Sequence, residues 1–384
     1  MSLVRQESFL LIAFAVGVIA YFTEHALIGQ GKGISMMAAA ALIAVIVLAS
    51  TRVAHHAEML AHKVGDPYGT MILTLSAVAV EVLILAIMMG SSSSPTLVRD
   101  TIYSAVMLDI NGILGLAALL GGLRHGEQAY NDDSSRTYSV MILTAMGISM
   151  IVPEFIPDAK WHYYSAFTIF AMIALYALFL KMQVGTHSYF FSYSYRGNAT
   201  AAPASVSGAG SPATPPPSPK AARKQAAEPE TETIPAGVSI AIILIGVLII
   251  GFLAEFMSAF MTEGLEGSGA PPTLMAVVVA AISAAPEILT ALRAALKNRM
   301  QSVVNIALGA SLSTVILTVP VMEAIALYTG QPFIMAMSPV QTVMVAITLV
   351  VAAINLNDGQ TNAIEGMTHF VLFATFVMLT CLGL

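Results

Sequence analysis

Charge is scarce in this sequence. Only 10% of its 384 residues are Asp, Glu, Lys or Arg, against 57% that are hydrophobic. A chain so poor in charge cannot dress the surface of an ordinary soluble globule, and it reads as a polytopic membrane protein. Its net charge of −6 excludes a generic nucleic-acid binder. The single cysteine, Cys381, excludes an intrachain disulfide framework and a Cys-rich metal site. No glycine loop of the Walker type is present, so no nucleotide and no cofactor is expected. The stretch His55-His56-Ala57-Glu58-Met59-Leu60-Ala61-His62 lacks the spacing of a zinc protease, and its histidines read as membrane-interface residues. The 23 methionines form no Met-x-x-Met cluster and read as packing residues. The first apolar stretch leads into Tyr21–Ala26 without a clear cleavage site, which predicts a retained first helix.

Apolar windows, in contrast, are abundant. About 20 apolar residues are needed to cross ~30 Å of hydrocarbon, and windows of that kind occur near 8–28, 34–53, 69–89, 97–120, 138–156, 162–182, 236–262, 272–292, 303–328, 335–354 and 362–383. The sequence therefore predicts an all-α protein with eleven transmembrane helices in a lipid bilayer. Lys and Arg orient it. With the N-terminus inside, Arg5, Arg52, Lys63, Arg124, Arg136, Lys181, Arg196, Lys220, Arg223, Lys224, Arg293, Lys297 and Arg299 fall on the inner side, and only Lys32, Arg99 and Lys160 on the outer. The expected topology is a cytoplasmic N-terminus and an outer C-terminus, in a bacterial inner membrane.

Residues 197–235 differ from everything around them. They hold eight of the 18 prolines among Ala, Ser, Thr, Lys and Glu, a composition that cannot bury enough apolar surface to offset its ordering entropy. A disordered cytoplasmic linker is expected there, dividing six helices from five.

Two carboxylates stand out because they sit near the middle of apolar windows in opposite halves: Glu81 and Glu287. An ionisable group at the bilayer centre costs about 2.5–3.5 kcal/mol, so each is a functional-site candidate. Ala79-Val80-Glu81-Val82-Leu83 echoes Ala285-Pro286-Glu287-Ile288-Leu289, and upstream Ala57-Glu58-Met59-Leu60 echoes Ala254-Glu255-Phe256-Met257. Downstream, Asp109, Asn111 and Gly112 in one half face Asn305, Gly309, Ser311 and Ser313 in the other as polar spots on an apolar helix. The charge count sends the Glu81 and Glu287 helices in opposite directions, which makes the echo an inverted repeat, an architecture of secondary transporters with midplane sites.

These residues carry a resemblance. The sequence resembles the calcium/cation antiporter superfamily, in its cation/proton exchanger branch, and is most like the bacterial ChaA-type calcium (sodium)/proton antiporters. The matching stretches are Val64-Gly65-Asp66-Pro67-Tyr68-Gly69-Thr70, Gly121–Gln128, and Gln183–Phe190 with Thr186-His187 and Tyr189-Phe190. In the second half they are Ala285-Pro286-Glu287, Lys297-Asn298-Arg299, Ala307–Ser311, and Asp358-Gly359 through Glu365-Gly366. The resemblance implies one peripheral helix (1–30) and two inverted five-helix repeats (31–196 and 236–384), with the paired acidic residues at Glu81 and Glu287. Asp109 and Ser313 depart from it, standing where an apolar or small residue and an Asn or Gln are expected.

The residues by themselves support the same chemistry. Two facing carboxylates cannot both stay ionised cheaply without a cation between them, and they titrate as a unit. Protons or a hard cation can neutralise the pair, but not both, and that exclusion is antiport. Ca2+ takes six to eight oxygens at roughly 2.3–2.6 Å, more than two carboxylates supply. Pro286 cannot donate to the carbonyl four residues earlier, so the oxygen of Ile282 is a candidate ligand. Thr74, Ser76, Asn111, Ser283, Asn305 and Ser311 are further candidates, with interhelical hydrogen bonding as the plain alternative. Asp109 is a third intramembrane acid, readable as a ligand, a proton relay or a neutral hydrogen-bonded carboxyl. Glu58 and Glu255 read as an entry pair or as solvated helix ends, and Glu323 and Glu365 as interfacial. The expected function is export of cytoplasmic Ca2+, with Na+ as a further cargo, in exchange for protons. Na+ or K+/proton exchange is the alternative within the class, and a cation channel or an intramembrane hydrolase the alternatives outside it.

Overall fold

The computed structural model describes residues 7–64, 68–91, 94–184, 235–271, 273–331 and 333–384. Among them eleven helices follow in chain order: α1 (Ser8–Leu27), α2 (Lys32–Val64), α3 (Tyr68–Ser91), α4 (Leu97–His125), α5 (Asp132–Phe155), α6 (Trp161–Val184), α7 (Ala236–Leu265), α8 (Thr273–Leu296), α9 (Met300–Thr329), α10 (Pro339–Asn355) and α11 (Ala363–Cys381). Every expected window is met by a helix. α2 runs on to Val64, past the expected end near residue 53, because Ala, Met, Leu, His and Lys keep helical preference where the apolar window has ended. The expected linker lies outside the described residues apart from Pro235, as do Gly65-Asp66-Pro67, Thr186-His187 and Tyr189-Phe190.

The two sets of five helices pack antiparallel, element against element. The Asn131 backbone N–H, just past the end of α4, donates to Gln301 at the start of α9, and at the other end Arg99 donates to the Ala336 carbonyl beyond α9. The start of α5 likewise meets the end of α10, where Ser135 donates to the Leu356 carbonyl, and Met337 before α10 donates to Met150 near the end of α5. α6 packs on α9 as α11 packs on α4. Two short strands, β1 (Gln128–Ala129) and β2 (Gln360–Thr361), pair antiparallel and tie the repeats together at one end.

α4 and α11 come unusually close because glycines face the contact. A side chain at Gly122 would overlap the backbone of Ala363, and one at Gly366 the backbone of Leu119. In a bilayer, where lipid tails are as apolar as leucine, such close approach is what drives helix association.

α1 lies at the edge, against α2 and α7, with Leu11, Phe14, Ile19 and Phe22 exposed on its outer side. Glu7 fastens its start. It accepts from Arg52 at 2.6 Å and lies 2.9 Å from the buried His56 imidazole, which is thus a bonded group rather than a plain interface histidine. Burial pushes the Glu7 carboxyl up, but the hydrogen bonds and charges of Arg52 and His56 outweigh it and hold it below the usual carboxylate range. A depressed carboxylate contributes stability above that range, and the contribution is lost as pH falls through the folded value. In detergent, proteolysis at the exposed Gly29-Gln30-Gly31 turn is therefore expected to rise as the solution is acidified below the carboxylate range. Glu7→Gln should show the raised, several-fold faster cleavage already at neutral pH; equal rates would mean that the Glu7 cluster does not hold α1.

Candidate functional site

The middles of α4 and α9 depart from α-helical geometry. Leu108–Leu114 and Thr314–Thr318 are π-helical, a form that is rare and frequent at functional sites. Each α-helical residue turns the chain about 100°, so a residue accommodated in a wider turn re-aims the side chains that follow. Asp109 lies in the first of these segments, and Thr314 and Thr318 bound the second.

The second segment serves Glu81. Thr314 donates to Glu81 Oε2 at 2.9 Å and Thr318 to the same oxygen at 3.2 Å, while Oε1 is buried without a protein partner. Ser311 donates to Asp109 Oδ2 at 3.1 Å. Glu81 and Asp109 are 5% and 2% exposed, too little for water to solvate their charge. Glu287 on α8 is partly buried and lies within electrostatic reach of both.

All three carboxylates line one cavity of about 220 Å3, walled by α2, α3, α8 and α9, with Ala105 and Asp109 contributed by α4. The walls become more exposed toward one end: Glu58 and Thr290 are exposed, whereas Glu81, Asp109 and Ala105 are buried. That mouth lies at the end of the bundle where His125 meets the Leu296 carbonyl and Gln128 donates to Ala295 and Asn298.

Of the residues picked from sequence, Glu81, Glu287, Asp109, Glu58, Thr74, Ser76, Ser283 and Asn305 line this cavity together. Ser283 also donates to the Val279 and Ala280 carbonyls, and Asn305 accepts from Gln301. Ser311 and Ile282 are buried and are not in the cavity wall; Ser311 supports Asp109 from behind. Asn111 is a correction. Two residues on from Asp109 it points the other way, donating to Thr348 at 2.8 Å and meeting His369 Nδ1 at 3.0 Å, so it joins α4 to α10 and α11. Glu255 is a second correction, exposed on α7 and outside the cavity wall. Glu323, expected to be interfacial, is 2% exposed because α6 covers the end of α9.

Sequence reading missed Thr314 and Thr318 as partners of Glu81. Their signal was present as two hydroxyls four apart in an apolar window, but nothing local says that they meet a carboxylate in the other half. Among the described residues no three His, Cys, Asp or Glu side chains converge closely enough to hold a metal, so the acids line a cavity rather than form a closed ligand cage.

Among the described residues, ten apolar helices in two opposed sets of five, an eleventh at the edge, and acids at the centre of the bundle define a polytopic membrane protein of the inverted-repeat kind. The chain belongs to the sodium/calcium exchanger protein family, which matches residues 34–185 and 238–382. The match leaves out α1 and the segment between the repeats. Among its relatives, a sodium-potassium/proton antiporter, ChaA, of Escherichia coli strain K12 is 31% identical over 91% of each chain. A putative ionic transporter, y4hA, of Sinorhizobium fredii is 28% identical over 95% of this chain and 93% of that one. The fold is similar to the crystal structure of the Ca2+/H+ antiporter protein YfkE, with a TM-score of 0.71 at 18% identity, over 97% of this chain and 99% of that one.

Proposed function

We propose that the chain is a secondary active cation/proton antiporter that exports cytoplasmic Ca2+, with Glu81 and Glu287 as the shared site for cation and protons. The observation that carries this reading is the meeting of Glu81, Glu287 and Asp109 on one cavity, whose described wall residues are exposed at the end of Glu58 and Thr290. In that setting the negative charge is tolerable only when neutralised, by protons or by a cation, and the two occupants exclude one another. The mouth lies at the end that carries Arg124, Arg136, Arg293, Lys297 and Arg299, which under the positive-inside rule is the cytoplasmic end. The N-terminus is then cytoplasmic, the C-terminus outside, and the cavity inward-facing. A cytoplasmic cation enters past Glu58 and displaces the protons, movement of one repeat against the other exposes the site outside, and protons there displace the cation. The proton gradient supplies the energy, so neither nucleotide nor cofactor takes part.

Ca2+ suits the presence of three acids, since a divalent ion needs more compensating charge and more oxygens than a monovalent one. A second reading, Na+ or K+ as the main cargo, is favoured by the 31% identity to a protein named a sodium-potassium/proton antiporter. Purified full-length protein in liposomes, with an imposed pH gradient and Ca2+, Na+ or K+ presented singly, decides between them. Uphill movement of Ca2+ upholds the first reading, movement of Na+ or K+ alone the second, and no coupled movement of any of them sinks both.

The hydroxyls on Glu81 allow a graded test. A hydrogen bond to a charged group contributes about 1.5–3 kcal/mol, and 1.4 kcal/mol is about tenfold in affinity. Thr318→Val, which strips one donor from the charged form, is expected to raise the half-saturating cation concentration about tenfold, and the Thr314→Val/Thr318→Val pair further. An unchanged concentration in the double variant would mean that Glu81 does not hold the cation.

A further inference from the structure

At the end of the bundle opposite the cavity mouth lies a second, separate pocket of about 290 Å3. Its wall comes from Pro153 in the last turn of α5, Ile156 just after it, Trp161, Tyr164 and Ser165 of α6, Glu323 of α9, and 333–336. Glu323 is 2% exposed. One oxygen accepts from Ser165 at 3.3 Å, and the other, Oε2, is buried with no protein partner. Among the described residues no basic side chain forms an ion pair with it. The titratable group facing it from α6 is Tyr164, whose hydroxyl donates to the Ile148 carbonyl. Arg99 reaches the pocket rim at the Ala336 carbonyl but is spent on an ion pair with Asp100 at 2.8 Å. The segment 333–336 otherwise presents Phe, Ile, Met and Ala.

A buried carboxylate with one oxygen left unpartnered and no neutralising charge is expensive and calls for a reason. Packing does not supply one. At the corresponding turn of the partner helix α4 stand Gly121 and Gly122, and the space over Gly121 is filled by the neutral Gln128 side chain. The position on α4 that corresponds to Glu323 thus carries no acid; the acid nearest it, Glu365 on α11, is held by Asn362, whose side chain donates to Glu365 Oε1 at 2.9 Å. A hard divalent ion would need six or more oxygens, whereas this pocket offers one carboxylate and few hydroxyls among aromatic and aliphatic walls. The ligand that fits is a proton. Five residues before Glu323 on the same helix, Thr318 donates to Glu81, so α9 carries both the pocket acid and a direct contact to the central site.

We infer that Glu323 is a second proton-binding site, which takes a proton from the outer side onto Oε2 and releases it toward the central carboxylates when the cation leaves outward. The inference rests on the antiport reading above. It is tested with the full-length protein in liposomes by two measurements for each variant: cation flux driven by a pH gradient, and cation self-exchange at equal pH, which needs no net proton movement, using Ca2+ or whichever of Na+ and K+ the wild type carries. Glu323→Gln is expected to slow the proton-driven flux at least tenfold while self-exchange stays within about twofold of wild type. Glu323→Asp, which keeps an acid in the pocket, should recover most of the proton-driven flux. Proton-driven flux equal to wild type in Glu323→Gln overturns the inference. So does equal loss of both fluxes in the Gln and Asp variants, which marks Glu323 as a packing residue. If the antiport reading itself fails, the wild type shows no proton-driven flux, a result distinct from either.

Discussion

Glu81→Gln and Glu287→Gln are each expected to reduce pH-gradient-driven cation flux to that of protein-free liposomes. Glutamine has nearly the volume of glutamate, and at position 81 its carbonyl can still accept from Thr314 and Thr318, which now reach Oε2 at 2.9 and 3.2 Å. The helices therefore have no reason to move apart, and folding should survive. What disappears is the charge. An amide neither takes up a proton in this range nor neutralises a cation, so the site loses the alternation between occupants on which coupling depends. The loss is near total because the two acids act on one occupant and neither substitutes for the other. Self-exchange of the cation should fall with it, unlike in Glu323→Gln, because here the cation ligand itself is gone. Normal exchange in either variant, with the protein folded and inserted, would remove Glu81 and Glu287 from the centre of the mechanism.

The second large effect is structural. Gly366→Leu should sharply lower the yield of monodisperse protein and its melting temperature in detergent. A side chain there meets the backbone of Leu119 and Ala118, and the Gly115 carbonyl oxygen at 2.8 Å. Backbone atoms of a helix cannot swing aside, so α11 must back away from α4. Overpacking of this kind costs about 1–3 kcal/mol, occasionally more. The damage should reach the site, since α11 also holds His369, which meets Asn111 two residues from Asp109. Gly147→Ala is the control, because nothing lies within 4 Å of a side chain added there. Equal melting of Gly366→Leu and Gly147→Ala would show that the glycine contact does not hold the helices.

The features legible from sequence are those with a local or global cause. Eleven helices follow from the length of apolar windows against the thickness of a bilayer, and each window found its helix. Glu81 and Glu287 were legible because an acid in such a window is costly wherever the helix ends up. Asp109 was legible for the same reason, and it faces the same cavity. Rotation about a helix axis was not legible. Asn111, two residues and about 200° of helix beyond Asp109, could be assigned to no neighbour until α10 and α11 were seen to meet it, away from the cavity. Glu58 and Glu255 looked equivalent as a repeated pair, but one lines the cavity mouth and the other is exposed on α7, outside the cavity wall. A repeat that is symmetric in sequence need not place its matched residues in matched surroundings.

The sequence by itself determined that this chain is an all-α membrane protein of two inverted repeats with acids at their centres. Those properties depend on counting apolar and basic residues, and they hold whatever the helices touch. Only the tertiary structure decided that three carboxylates share one cavity, that Thr314 and Thr318 serve Glu81 across the repeats, and that Glu323 is buried in a pocket of its own. Each of these depends on which face of a helix meets which neighbour more than 150 residues away, as with the contacts 233 and 237 positions apart that join Thr314 and Thr318 to Glu81. No periodicity within one helix encodes that, because in a bilayer both faces of a helix are apolar and packing alone sets its rotation.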